Sequence, residues 1–381
     1  SDDRHHTLKG TIAWSYGLLT HQERALLGAL SVFADSFTLE AVESLAPGDS
    51  KDTLDLLTSL SDKSLVSVRR PAGASPRFRL LDAIRSYAEA EAPLALLSSS
   101  KEKYAGFYFA MAAKGNDALP REDLAEWLRI VDADASNIRA ALSFGFERRD
   151  PRLSSALCGL WRYWYLRRKL TEGRGWLDRY THSAQNDDAE LAPILRHLSS
   201  FACLQHDYEC AGDFARRARE IYERRKDSAG SLAAKNALAV NEYRRGNIAE
   251  AEKLYGEIAA SSTREGNCYA LVLALRNLAT LQLFTNRISE AESSLSECRT
   301  HAETLGDAEQ LSTVEALEGS LAYERNDLSR ADQKFTSALE TKKRLGNQFG
   351  AAEIALGLAS VRLAQGRLEE AERWIASSLF T

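Results

Sequence analysis

Five short phrases, HDYECA, GNIAEA, NRISEA, NDLSRA and GRLEEA, recur in the second half of this 381-residue chain at a spacing that does not vary. Their apolar anchors are Tyr208, Ile248, Ile288, Leu328 and Leu368, each 40 residues after the last. Three residues beyond each anchor stands an alanine (Ala211, Ala251, Ala291, Ala331, Ala371), and nine before it a small residue (Ser199, Ala239, Ala279, Gly319, Ala359). Seven beyond come Ala215, Tyr255, Leu295, Phe335 and Ile375, placed to plug the gap between neighbours. Small side chains at fixed positions let two helices approach closely, and the Gly, Asn and Asp residues ahead of each anchor break the chain between them. One such hairpin cannot bury its apolar face alone, so five in succession predict a stacked, curved solenoid with a continuous core. All seven prolines precede residue 194, which leaves the last half of the chain clear of a residue costing a helix interior about 3 kcal/mol. An earlier phrase, KLTEGRGWL, places Leu170 38 residues before Tyr208 and Gly173 in the alanine column, a sixth and divergent copy.

The order of small, anchor, alanine and plug positions resembles the tetratricopeptide repeat, with the usual Trp column replaced by Leu195, Lys235, Leu275, Glu315 and Ala355 and the closing Pro missing. That resemblance implies that the first helix of each pair lines a concave face. Matching column by column gives a candidate partner-binding groove of Arg196, Ser200, Asn236, Tyr243, Arg244, Arg276, Thr280, Tyr323 and Glu324. Arg and Asn offer directed donors suited to a carboxylate or a peptide backbone.

The first ninety residues follow another pattern. Thr20 and Glu23 form a capping-box pair, predicting an amphipathic helix with Leu26, Leu27, Leu30 and Phe33 on one side. Thr38 caps a second helix, Leu39 to Leu45, and Asp52 to Leu60 reads as a third with Leu54, Leu57 and Leu60 inward. Ser64 to Val68, a turn from Pro71 to Pro76, and Arg77 to Leu81 then read as a β-hairpin. Helices followed by such a hairpin describe a winged helix. Its candidate recognition helix carries Asp49, Asp52, Asp55 and Asp62 against Lys51 and Lys63, the wrong balance for a phosphate-lined groove. Arg69, Arg70, Arg77 and Arg79 on the hairpin are the candidate contacts for a phosphate or for another domain. The formal net charge of -5 adds no global attraction for nucleic acid or an anionic membrane.

TLKGTIAWSYGLLTHQERALLGALSVFADSFTLEAVESL, LLTSLSDKSLV, RFRLLDAIRSYA, DASNIRAAL and LWRYWYLRRKLTEGRGWL follow one another between Arg4 and Leu177. In that order they resemble blocks of bacterial STAND-class regulators, signal-transduction ATPases of the LuxR/AfsR type in which tetratricopeptide repeats are the usual continuation. The resemblance implies that the winged helix is the last part of an NB-ARC nucleotide switch and packs on an ATPase core. It also implies that the repeats form a sensing arm for a protein, peptide or small effector, with output from a separate domain. No G-x-x-x-x-G-K-[ST] occurs, so ATP or ADP is expected in a domain outside these residues and no cofactor in this chain. Related eukaryotic proteins end the winged helix with Met-His-Asp; the matching positions here are Leu80, Leu81 and Asp82, and a leucine cannot hydrogen-bond a phosphate.

The sequence contains no H-E-x-x-H and no G-x-S-x-G, and its seven histidines are dispersed. His5 and His6 belong to a polar lead-in. Trp161, Tyr163, Trp164, Tyr165 and Trp176, at helical spacing, read as core between connector and repeats. Five scattered cysteines without a C-x-x-C pair, and no apolar run of membrane-spanning length, fit a cytoplasmic protein. Met111 is the sole methionine, as in a piece of a longer chain. The expected architecture is mostly α: a winged helix over 1–93 with a small β-hairpin, a helical connector over 94–150, and an all-α tetratricopeptide-like superhelical solenoid over 151–381. The expected role is that of a non-enzymatic regulatory or sensor fragment. A regulator whose winged helix reads DNA directly, and a free-standing repeat scaffold, are the alternatives.

Overall fold

A computed structural model describes residues 2–45, 50–70, 75–116, 121–183 and 188–379. Asp49 and most of the Pro71–Pro76 turn lie outside these residues. The chain divides into two compact bodies, Ser1–Gly115 with Trp127–Gly159, and Asn116–Glu126 with Leu160–Thr381.

The first body holds α1 (Asp2–Gly17), α2 (His21–Leu30), α3 (Leu39–Leu45), α4 (Ser50–Asp62), β1 (Ser67–Arg69), β2 (Arg77–Arg79), α5 (Asp82–Glu91), α6 (Leu94–Ala113), the C-terminal part of α7 (Arg121–Ala133), α8 (Ala135–Arg148) and the start of α9 (Leu153–Leu166). His5 and His6 fall within α1, so the polar lead-in is helical. At the start of α2 the capping box is complete. Thr20 Oγ1 accepts from the Glu23 amide at 3.2 Å, and the Glu23 carboxylate accepts from the Thr20 amide at 2.7 Å. Leu26, Leu27, Leu30 and Phe33 are all buried. In α4 the inward positions are Thr53, Leu57 and Leu60, spaced i, i+4, i+7, which turns Leu54 outward to 43% exposure against the expectation. The β-hairpin is shorter than the sequence suggests: β1 and β2 pair antiparallel with Val68 opposite Phe78, and Phe37 bridges to Phe78 on the other edge. Leu65 and Val66 are spent in the core before β1 begins.

A buried polar cluster joins this winged helix to the helices after it. Asn137 Oδ1 accepts from the Ala34 and Asp35 amides at 2.9 and 3.2 Å, and its Nδ2 donates to Ser36 O at 2.8 Å. Tyr104 donates to Asn137 O at 2.8 Å and Tyr108 to Asp134 Oδ1 at 3.1 Å. Arg77 completes it, donating to both Asp134 oxygens at 2.8 and 3.0 Å and to Ser36 O at 2.7 Å. With the Asp134 side chain only 2% exposed, removing it strands a guanidinium in the interior.

In the second body each anchor residue is the first residue of a helix. After α9 and α10 (Leu170–His182), the hairpins are α11 (Asp188–Leu204) with α12 (Tyr208–Arg224), α13 (Ser228–Arg244) with α14 (Ile248–Glu265), α15 (Cys268–Phe284) with α16 (Ile288–Leu305), α17 (Ala308–Glu324) with α18 (Leu328–Arg344), and α19 (Gln348–Ala364) with α20 (Leu368–Leu379). The five column alanines are 0–1% exposed. Plug residues Ala215, Tyr255, Leu295 and Phe335 are buried, while Ile375 on the last hairpin is 39% exposed. Phe335 lies beneath both Gly319 and Gly357, where a Cβ would meet its ring at 3.0 and 2.8 Å. In α10, Gly173 holds the alanine column because a Cβ there would meet Phe201 at 2.8 Å and Trp164 at 2.9 Å.

The turns keep a finer beat than the 40-residue unit. His206, Lys226, Gly246, Gly266, Asn286, Gly306, Asn326, Gly346 and Gly366 all have left-handed backbone, one every 20 residues, so each helix from α11 to α19 is followed by a left-handed residue. The next residue is the N-cap of the following helix, and Asp207, Asp227, Asn267, Asp307, Asp327 and Asn347 each accept a backbone N–H there, worth about 1 kcal/mol apiece. Among the described residues no helix is long and apolar enough to cross a membrane.

Two stability measurements follow from the first body. The Glu23 carboxylate, held by Lys63 and by Ser59 at 2.5 Å, has its pKa lowered from 4.5 to about 2. Its stabilising effect is therefore full above about 4.5 and is lost as pH falls toward 2. Glu23→Gln should remove that part of the acid sensitivity in urea titrations, and an unchanged profile over this window contradicts the assignment. Asp134→Ala should lower stability by about 3 kcal/mol; a loss below about 1 kcal/mol would show that Arg77 finds other partners.

Candidate functional site

A cavity of about 600 Å³ lies within the second body. Its wall is built mainly from the first helices of the hairpins: Arg244 from α13, Tyr269, Leu273, Arg276 and Thr280 from α15, Gln310, Thr313, Ala316, Leu317 and Ser320 from α17, and Glu353, Ile354 and Gly357 from α19. Lys342 and Leu345 come from the end of α18, and Trp161, Arg162, Tyr165 and Leu166 from α9. A space of this size, part aromatic and part charged, matches the range of small-ligand sites.

The charged residues on this wall fall into two groups. Lys342 and Glu309 satisfy one another: Lys342 Nζ is 2.6 Å from Glu309 Oε1 and 2.8 Å from Thr313 Oγ1, and Asn347 Nδ2 donates to the same Glu309 oxygen at 2.8 Å. Arg276 is held differently. Its guanidinium donates to Gln310 Oε1 at 3.0 Å and Asn277 Oδ1 at 3.3 Å, and Asn277 in turn donates to Asn236 Oδ1 at 3.0 Å. Neutral amides orient the cation without cancelling its charge. Arg244 is exposed to the cavity and makes no hydrogen bond or ion pair among the described residues. Glu353 likewise is exposed and has no hydrogen-bond partner among the described residues, and desolvation by the protein around it raises its pKa above 4.5 even though Lys342, Arg244 and Arg276 pull the other way. Burial, with Glu353 next, pushes the Tyr165 phenol up to about 12.

Of the groove residues expected from the columns, Arg244, Arg276 and Thr280 line the cavity, and Asn236 supports Arg276 from behind. Arg196 meets His197 Nε2 at 3.2 Å, and Ser200 donates to Arg196 O, away from the cavity. Tyr243 packs edge-on against Phe284 with ring centres 6.0 Å apart, and Tyr323 packs on the core of the hairpin that follows. Glu324 is exposed outside it. Sequence columns missed Glu353, the Lys342–Glu309 pair and the α9 aromatics. Tyr163 and Trp164 are core, as expected, but Trp161 and Tyr165 face the cavity, with Trp161 stacked on the buried His197 at 5.0 Å. The alternation was available in part: 161 and 165 are one helical turn apart, on the opposite side from 163.

On the winged helix, Arg77 is consumed by Asp134 and Ser36, and Arg79 lies 3.6 Å from Asp35. Arg69 and Arg70 are exposed. Lys63 is paired with Glu23, and Asp52, Asp55 and Asp62 are exposed on α4. Leu81 is 61% exposed. Among the described residues no cluster of three or more His, Cys, Asp or Glu is placed to hold a metal.

The free protein carries a cost for Glu353 that can be measured. Its folded pKa is raised, so the charged form disfavours folding above that pKa and not below the unfolded value near 4.5. Glu353→Gln should raise the melting temperature at pH 7.5, with the gain vanishing below about pH 4.5. A variant less stable than wild type at neutral pH contradicts this.

Comparison with known proteins agrees with the geometry. A winged helix-turn-helix domain family matches residues 19–91, and the MalT-like TPR region matches residues 194–378. A Mycobacterium tuberculosis protein described as an HTH-type transcriptional regulator, Rv0890c, is 34% identical over 186 residues, covering 46% of this chain and 20% of the relative. The chain spans about a fifth of the length of the curated relatives it matches. Among solved structures, aspartyl phosphate phosphatase F from Bacillus subtilis is similar with a TM-score of 0.56 at 11% identity, over 86% of this chain and 79% of that one. A Rap protein complexed with Competence and Sporulation Factor gives 0.51 at 14% identity, over 74% and 77%. At these identities the likeness is one of fold. Both matched domains are of regulatory rather than catalytic kinds. The chain joins a winged helix-turn-helix domain to a MalT-like TPR region.

Proposed function

We propose that this chain is the sensing arm of a STAND-type transcriptional regulator and performs no chemistry itself. An effector, whether protein segment, peptide or small molecule, enters the cavity. The winged helix docks on a nucleotide-binding domain outside these residues, where ATP or ADP is held, and the protein works in the cytoplasm. The observation that carries this reading is the make-up of the cavity wall. Trp161 and Tyr165 on α9 face Arg276, Gln310 and Glu353, more than a hundred residues later in the chain. A ligand touching both sides fixes the spacing between α9 and the last hairpin, and stacked hairpins respond to such a contact along their whole length. Support also comes from the Rap fold relative, which is complexed with a factor. Effector binding would thereby shift the nucleotide domain from an ADP-held closed state toward an ATP-bound open one.

Nucleotide exchange by the full-length protein, with and without the region from α11 to α20, tests this. The rate should differ, and equal rates would contradict the reading.

A second reading, direct DNA binding, draws on the exposed Arg69 and Arg70. The acidic exposed face of α4 opposes it. In a mobility-shift assay at low salt the whole chain should leave duplex DNA unshifted. Retardation that weakens with salt and with Arg69→Ala/Arg70→Ala would favour the second reading.

A further inference from the structure

We propose that the cavity is a receptor for a carboxylate attached to a flat apolar body and accompanied by a hydrogen-bond donor, and that Arg276 with Arg244 takes the carboxylate while Glu353 takes the donor. The inference rests on the sensing role proposed above and names the ligand chemistry of that same site.

Three features of the wall lead to it. First, of the three guanidiniums that line the cavity, Arg162 is buried and donates to Asn116 O at 3.1 Å, whereas Arg244 and Arg276 have no carboxylate partner in hydrogen-bond contact. The remaining basic group, Lys342, is already neutralised by Glu309. Arg276 is fixed in place by Gln310 and Asn277, so its orientation is prepared before a ligand arrives, which lowers the entropy lost on binding. An oriented guanidinium offering parallel N–H groups suits a planar carboxylate better than a spherical anion. Second, Glu353 is exposed to the same space with no donor of its own, and the protein around it raises its pKa. A carboxylate so placed accepts a ligand's N–H or ammonium. Third, Trp161, Tyr165 and Tyr269 supply ring surface in the same cavity, with Leu273 and Ile354 in its apolar lining. The cavity's about 600 Å³ accommodates a drug-sized molecule and excludes a folded protein.

Two sources share this chemistry, the free C-terminus of a short peptide and a small aromatic acid bearing an amine or amide. Affinity selection on the whole chain separates them. One arm uses a random pentapeptide pool with free ends, the same pool C-terminally amidated, and the same pool N-acetylated. The other uses a panel of aromatic amino acids and their acyl and amide derivatives, read by calorimetry.

In whichever arm binds, the free-carboxylate form should be retained at least tenfold better than its amide. Arg244→Gln, at an exposed position where folding is not at stake, should abolish that preference, and Arg276→Lys should weaken it. Glu353→Gln should remove the preference for a free amine over its acetylated form while leaving the carboxylate preference intact. Equal retention of acid and amide forms, an unchanged preference in Arg244→Gln, or no retention in either arm overturns the proposal. If the last result comes with a repeat-dependent nucleotide exchange rate, the ligand chemistry is wrong and the sensing role stands. If exchange is also independent of the repeats, both fall.

Discussion

The close contact of helices at the alanine column is what everything else in the second body depends on. At Ala211, Ala251, Ala291, Ala331 and Ala371 no side chain larger than a methyl intervenes, so each second helix lies hard against its own first helix and the hairpins stack with a constant offset. The 20-residue beat of left-handed turns keeps helix lengths equal, so that offset does not drift along the array. A longer side chain at one alanine would force the local pair apart by overpacking, at about 1–3 kcal/mol, and would carry that error into every hairpin beyond it.

Constant offset has a chemical result. Residues 40 apart fall on the same line, which is how Asn236 comes to stand behind Asn277 and Arg276, and how the first helices bring their polar residues to one wall. The two bodies use charge in opposite ways. In the first, Arg77 and Asp134 neutralise each other and tie loop, hairpin and helix into one rigid piece. In the second, Arg244, Arg276 and Glu353 share a cavity without closing on one another, an arrangement that lowers stability and leaves binding energy available.

Much of this was legible in the residues. The repeat announces itself through spacing alone, and the capping box at Thr20 fixes the start of α2, because both are local signals that tertiary packing has no reason to override. Leu54 was misread because three leucines at i, i+3 and i+6 look like a stripe, yet the burial line runs through Thr53 and leaves Leu54 outside. Column reasoning found Arg244, Arg276 and Thr280, whose place follows from the repeat itself. It missed Glu353 and Lys342, and it gave Trp161 and Tyr165 to the core. A column identifies which face a residue occupies but not which faces curl round to meet; that depends on how the hairpins stack, which no single unit encodes.

A crystal structure of the chain without ligand tests the central claim most directly, since the claim concerns an open cavity holding unneutralised guanidiniums. The account predicts solvent density between α9 and α19, Arg276 bonded to Gln310 and Asn277, and the Glu353 carboxylate clear of both arginines. A cavity filled by the Trp161 ring, or closed by a direct ion pair between Glu353 and Arg276 or Arg244, would contradict it.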